Sequence, residues 1–96
     1  MSVVSYLRLF PREEHLEDFQ HSLEVLLRLV QEQKGFISVE VLRPHDNSTN
    51  YVRVSEWESE EDFKAWEHSP QHDEVMDDYN QNIGQGHTKM RLTRYR

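Results

Sequence analysis

Residues 36–59 read FISVEVLRPHDNSTNYVRVSEWES. Two runs rich in β-branched and aromatic residues, Phe36–Leu42 and Tyr51–Trp57, flank a polar stretch from Pro44 to Asn50. Such runs separated by turn-forming residues predict an antiparallel hairpin. Ser59 then opens a helix. With Asp62 three residues on, it forms a capping-box pattern in which Asp replaces the usual Glu. Phe63 and Trp66 are the apolar anchors of that helix, and Trp57 reads as the seal of the strand-to-helix turn.

Upstream, Val3–Phe10 has strand composition and stops at Pro11. Val3, Ser5, Leu7 and Leu9 share one face, and Val4, Tyr6, Arg8 and Phe10 share the other. From Glu13 to Gln33 the period changes. Leu16, Phe19, Leu23, Leu26, Leu27 and Val30 form one helical stripe. Acids crowd its first turns, where they suit the helix dipole, and Gly35 is expected at its C′ position. Downstream, Ser69-Pro70 interrupts the second helix, and Pro70 suits the first position of a following one, which carries Val75, Met76 and Tyr79. Asn80–His87 reads as loop, with Gly84-Gln85-Gly86 a flexible flap. Thr88–Tyr95 reads as the last strand. The order is βαββαβ, an α+β, ferredoxin-like antiparallel sheet with both helices on one face. The other face would show Val4, Tyr6, Val52 and Val54 to water, so a homodimer joined through the sheets is expected.

The chain has 96 residues, which is one domain. A mean hydropathy of −0.90 signals a modest core, which association would reinforce. No apolar run approaches the roughly 20 residues that span a bilayer, and no secretory leader is visible. There is no cysteine, hence no disulfide or thiolate chemistry. A soluble, cytoplasmic protein is expected. The net charge of −7 argues against nucleic-acid and anionic-membrane partners. Residues 56–78 carry ten acids and one Lys, while Lys89, Arg91, Arg94 and Arg96 cluster at the end. The acidic block is either a solvated helix face or a surface complementary to the basic end of a partner subunit.

Gly35–Arg43, Tyr51–Ser59, the Phe63-Lys64-Ala65-Trp66 run and Ser69-Pro70 together resemble the antibiotic biosynthesis monooxygenase family. The motif match covers about 40 residues and the element order covers the whole chain. The resemblance implies a dimeric α+β barrel with a pocket between helices and sheet. It also implies cofactor-independent oxidation of a small aromatic substrate, a quinol or polyketide-like phenol, by O₂. No cofactor is then expected. The family also contains heme-degrading enzymes, which use an Asn on the first strand, a Trp on the second helix and a ligating His further on. Trp66 matches the Trp, but the other two positions hold Leu7 and Val75. A non-catalytic dimeric binding protein for a hydrophobic ligand or heme is the alternative, and a pocket filled by side chains a third reading.

Trp66 is the leading pocket residue, as a flat aromatic wall with one N–H donor, or else a core anchor. Arg53 is a clamp for a substrate anion if its strand face points at the helices, and a rim or dimer ion pair if it does not. His68 or His72 would act as general base. They stand four residues apart, but Ser69-Pro70 breaks the register between them, so no metal site is expected. Leu7, Leu23, Ser55 and Tyr79 complete the expected substrate contacts. Asn47-Ser48-Thr49 matches a glycosylation sequon and reads as chance in a polar turn.

Overall fold

Alternating strand patterns and one long amphipathic stripe assemble as the sequence suggests. The computed structural model describes residues 2–46 and 48–95, so the sequon's Asn47 lies outside the described residues. The strands are β1 (Val3–Pro11), β2 (Phe36–Leu42), β3 (Tyr51–Trp57) and β4 (Gly84–Leu92), and the helices are α1 (Leu16–Val30), α2 (Glu60–Glu67) and α3 (Pro70–Asp78). One sheet has the order β2-β3-β1-β4, with every neighbouring pair antiparallel.

Register decides which side chains meet the helices. Val3, Leu7 and Leu9 pair with Trp57, Arg53 and Tyr51, and all of these except Arg53 are buried. The face carrying Val4, Tyr6, Val52 and Val54 is the other one, as the alternation requires. The core divides in two. One cluster joins Val3, Leu26, Val30, Trp57, Phe63 and Trp66. The second joins Leu7, Leu9, Phe19, Tyr51, Tyr79 and Ile83.

Several boundaries differ from expectation. Residues 13–15 form a single 3-10 turn before α1, and α1 ends at Val30, so Gly35 is not its C′ residue. The chain leaves α1 through turns in which Gln33 N–H donates to the Val30 carbonyl at 3.1 Å and Phe36 N–H to the Gln33 carbonyl at 3.3 Å. Gly35 instead has a φ of 79° and lies hard against Asp62, where any side chain would collide.

The expected Gly84–Gly86 flap is not a flap. Pro11 pairs with Gly84 and Leu9 with His87, so β4 starts earlier than Thr88 and stops at Leu92. Gly84 is required because a Cβ there would collide with the Tyr79 ring. Before it, Tyr79–Ile83 form a π-helical turn rather than loop. The acidic block meets the basic end within this chain. Arg91 reaches Glu60 at 2.9 Å, Lys89 and Arg91 both lie 3.8 Å from Glu67, and Arg94 reaches Glu56 at 2.8 Å.

Candidate functional site

The helix layer covers the sheet unevenly, and the gap is a cavity of about 470 Å³. Its floor is the sheet, through Ser5, Leu7, Arg53, Lys89 and Arg91. Its walls are Phe63 and Glu67 of α2 and, beyond the Ser69 break, His72, Asp73, Met76, Asp77 and Asn80, so carboxylates border the rim as well. That volume suits a small organic ligand.

Ser69 makes the wall. Its Oγ accepts from His72 N–H at 3.2 Å, which caps α3, and donates to the Trp66 carbonyl at 2.8 Å, which closes α2. A Ser-Pro pair at this point ends one helix and starts the next. His72 is thereby set at the third position of α3, with its ring edge-on to Trp66 at a centroid distance of 5.2 Å. Its Nδ1 is buried without a hydrogen-bond partner. Burial first, and the positive charge of Arg53 second, hold the His72 pKa below the usual imidazole value, against a smaller opposing pull from Glu67 and Asp73. The ring is therefore neutral at pH 7.

Arg53 comes from mid-β3 and faces the helices. Among the described residues its guanidinium has no ion pair and no side-chain hydrogen bond, and burial alone pushes its pKa down to about 10. It remains a cation at neutral pH. An uncompensated, half-buried guanidinium is costly unless something anionic meets it. The other two cations of the floor are committed. Lys89 and Arg91 are tied to α2 carboxylates, and Arg91 also lies 4.2 Å from the Phe63 ring centre.

The remaining expected contacts fall in different places. Trp66 is 3% exposed and sits in the core behind His72, not on the cavity, because α2 turns its apolar stripe, Phe63 and Trp66, to Val3, Leu26, Val30 and Trp57. His68 caps the end of α2, is exposed and does not line the cavity. Ser55 is buried beneath Trp57, accepting its indole N–H at 3.0 Å, and does not line the cavity. Leu23 and Tyr79 line a second, smaller apolar cavity next door. The Tyr79 hydroxyl is already used, since it accepts from Phe10 N–H at 2.9 Å and donates to the Gly86 carbonyl. Leu7 does lie on the floor.

Ser5, Met76, Asn80, His87 and Lys89 were not foreseen as lining residues. Strand alternation carries the signal for Ser5, His87 and Lys89, which share a face with Leu7 once β4 is paired correctly. Asn80 is placed by the π-helical turn, which left no pattern. At the positions where the resemblance puts the heme-site Asn and His stand Leu7 and Val75. Neither side chain has a donor atom, and Val75 packs against the Trp66 cluster. These residues do not fit a heme held in that way. No group of three His, Cys, Asp or Glu able to hold a metal occurs among the described residues. No helix there is long and apolar enough to cross a membrane.

Fold and site together define a small α+β domain that encloses a ligand-sized, partly charged cavity between an antiparallel sheet and its helices. The chain belongs to the antibiotic biosynthesis monooxygenase family, whose profile matches residues 2–78. SnoaB of Streptomyces nogalater, described as a cofactor-independent oxygenase, superposes with a TM-score of 0.88 at 16% identity, covering 99% of this chain and 94% of that one. A conserved protein from Methanosarcina mazei Go1 superposes with a TM-score of 0.90 at 13% identity, covering 98% and 93%. At these identities the likeness is one of fold. A mycobilin-producing heme oxygenase of Mycobacterium tuberculosis is 39% identical over 41 residues, which are 43% of this chain and 39% of that protein. The chain thus spans about two fifths of the length of the curated relatives it matches.

Proposed function

We propose that the protein is a cofactor-independent monooxygenase for a small aromatic substrate with an ionisable phenol or quinol hydroxyl. The observation that carries this reading is the Arg53 guanidinium, without a side-chain partner among the described residues, on the floor of a cavity that also holds the neutral His72 ring.

The chemistry follows from those two groups. His72 accepts the substrate's hydroxyl proton, and Arg53 on the cavity floor stabilises the resulting anion. The electron-rich anion reduces dioxygen directly. A carbon–oxygen bond forms at a ring carbon bearing hydrogen, the O–O bond then breaks, and that carbon becomes a carbonyl. The distal oxygen leaves as water, taking the hydrogens lost from carbon and hydroxyl. A phenol and O₂ thus give a quinone and water. All four electrons come from the substrate's C–H and O–H bonds. Trp66 acts as a positioning residue, holding the His72 ring from behind. The oxygenase reading of SnoaB points the same way. The apolar residues on the outer sheet face fit a homodimer joined there, with Met90 56% and Leu92 38% exposed in the single chain.

Oxygen consumption across a panel of quinols and polycyclic phenols, with and without flavin or hemin, tests the reading. The expected result is uptake without any additive, reduced by about two orders of magnitude in Arg53→Gln, as for loss of a charge-stabilising donor. Uptake that requires flavin or hemin, or none at all, overturns it and favours a binding protein.

A further inference from the structure

The second cavity, of about 20 Å³, lies directly beside the first, and the two share Arg53 and Met76. Its walls are aliphatic and aromatic, chiefly Phe19, Leu23, Leu26 and Ile83. Tyr79 contributes only its ring, since its hydroxyl is engaged by Phe10 and Gly86. The volume equals about one or two water-sized spheres, but a buried water wants two to four polar partners. Ser22 and Arg53 are the only polar residues on this lining apart from the Tyr79 ring. An aromatic substrate cannot enter so small a space, whereas a small apolar molecule can, as apolar cavities take up xenon.

Two further features give the cavity a direction. Ser22 and Val75 also border an open groove between α1 and α3, so the outer end meets the surface away from the larger cavity. The inner end is Arg53, a fixed positive charge at the boundary with the substrate site. A cation there favours the reduction of a neutral diatomic to an anion. From the size, the lining and this continuity we propose that the cavity is a dioxygen site, filled through the α1–α3 groove and discharged towards the substrate past Met76 and Arg53. The proposal rests on the oxygenase reading above.

Crystals of the wild-type protein pressurised with xenon test it without any need for turnover. One xenon atom among Phe19, Leu23, Leu26, Met76 and Ile83 is expected, and an empty cavity with xenon bound elsewhere overturns the proposal. Leu23→Phe should displace the xenon and raise the KM for oxygen about fivefold or more, with the phenol's Kd unchanged. An unchanged oxygen KM with the xenon displaced puts the cavity off oxygen's route and overturns it as well. Val75→Phe, at the groove end, repeats the test should Leu23→Phe not fold. Wild-type protein that holds xenon but consumes no oxygen with any phenol removes the oxygenase reading and leaves the apolar gas site standing.

Discussion

Trp57 and Arg53 lie four residues apart on the same face of β3, yet the structure treats them in opposite ways. Trp57 is completely buried, edge-on to Phe36 and Phe63, and its one polar atom is satisfied by Ser55. Arg53 carries five donors and a full charge, and none of its side-chain donors is matched within the described residues. Both side chains face the same helix layer. Both ends of the strand are finished as core, at Trp57 and at Tyr51, and between them Arg53 turns its charge to the cavity. A folded chain tolerates that only where the deficit is small or a ligand closes it. The contrast separates the packed core of the domain from the cavity that borders it.

Trp57→Ala should break the packed core. Loss of a fully buried indole costs about 3–5 kcal/mol, read from the denaturant midpoint at unchanged slope. If the cost is under about 1 kcal/mol, that end of the sheet is not the stabilising one. Ser55→Ala is milder. It strands the Trp57 N–H in the core and should cost about 1–2 kcal/mol with oxygen uptake retained. A fall in uptake larger than the fall in stability would place Ser55 in the chemistry after all.

His72 gives a pH signature. Its folded-state pKa is lowered below the unfolded value, so the unfolded chain binds the extra proton more readily. Its contribution to stability is complete above about pH 6.5 and is lost as pH falls from there towards the lowered value. Thermal unfolding between pH 5 and 7 should therefore be less pH-dependent in His72→Gln than in wild type. Equal slopes would mean the ring is solvated. The smallest effect belongs to the exposed Arg94–Glu56 pair, where Arg94→Ala should leave the denaturant midpoint essentially unchanged. A clear loss would mean that the chain's end contributes to the fold.

The fold was legible because each element announces itself locally. The hairpin in 36–57, the stripe from Leu16 to Val30 and the Ser59 and Ser69 caps are all short-range patterns. The C-terminal region was misread for a long-range reason. Gly84 and Gly86 look like loop residues, but Gly84 is demanded by the Tyr79 ring and by strand pairing with Pro11, 73 residues earlier, which no local window joins. The site was legible only in part. Arg53 stands out because a guanidinium turned towards the helices needs an anionic partner, but which face it takes depends on the register with β1. Trp66 was singled out as a pocket wall because aromatics serve cores and cavities alike, and the rotation of α2 settled it as core. His72 could be told from His68 only once the Ser69 break had set their separate helices.

The most direct test of the contrast is Arg53→Met, measured for both unfolding and binding of an acidic phenol. Removing an uncompensated cation should leave stability unchanged or raise it by up to about 1 kcal/mol, while affinity for the phenolate falls about tenfold or more. A variant that unfolds as readily as Trp57→Ala and binds the phenolate as tightly as wild type would make Arg53 a structural residue and contradict the account.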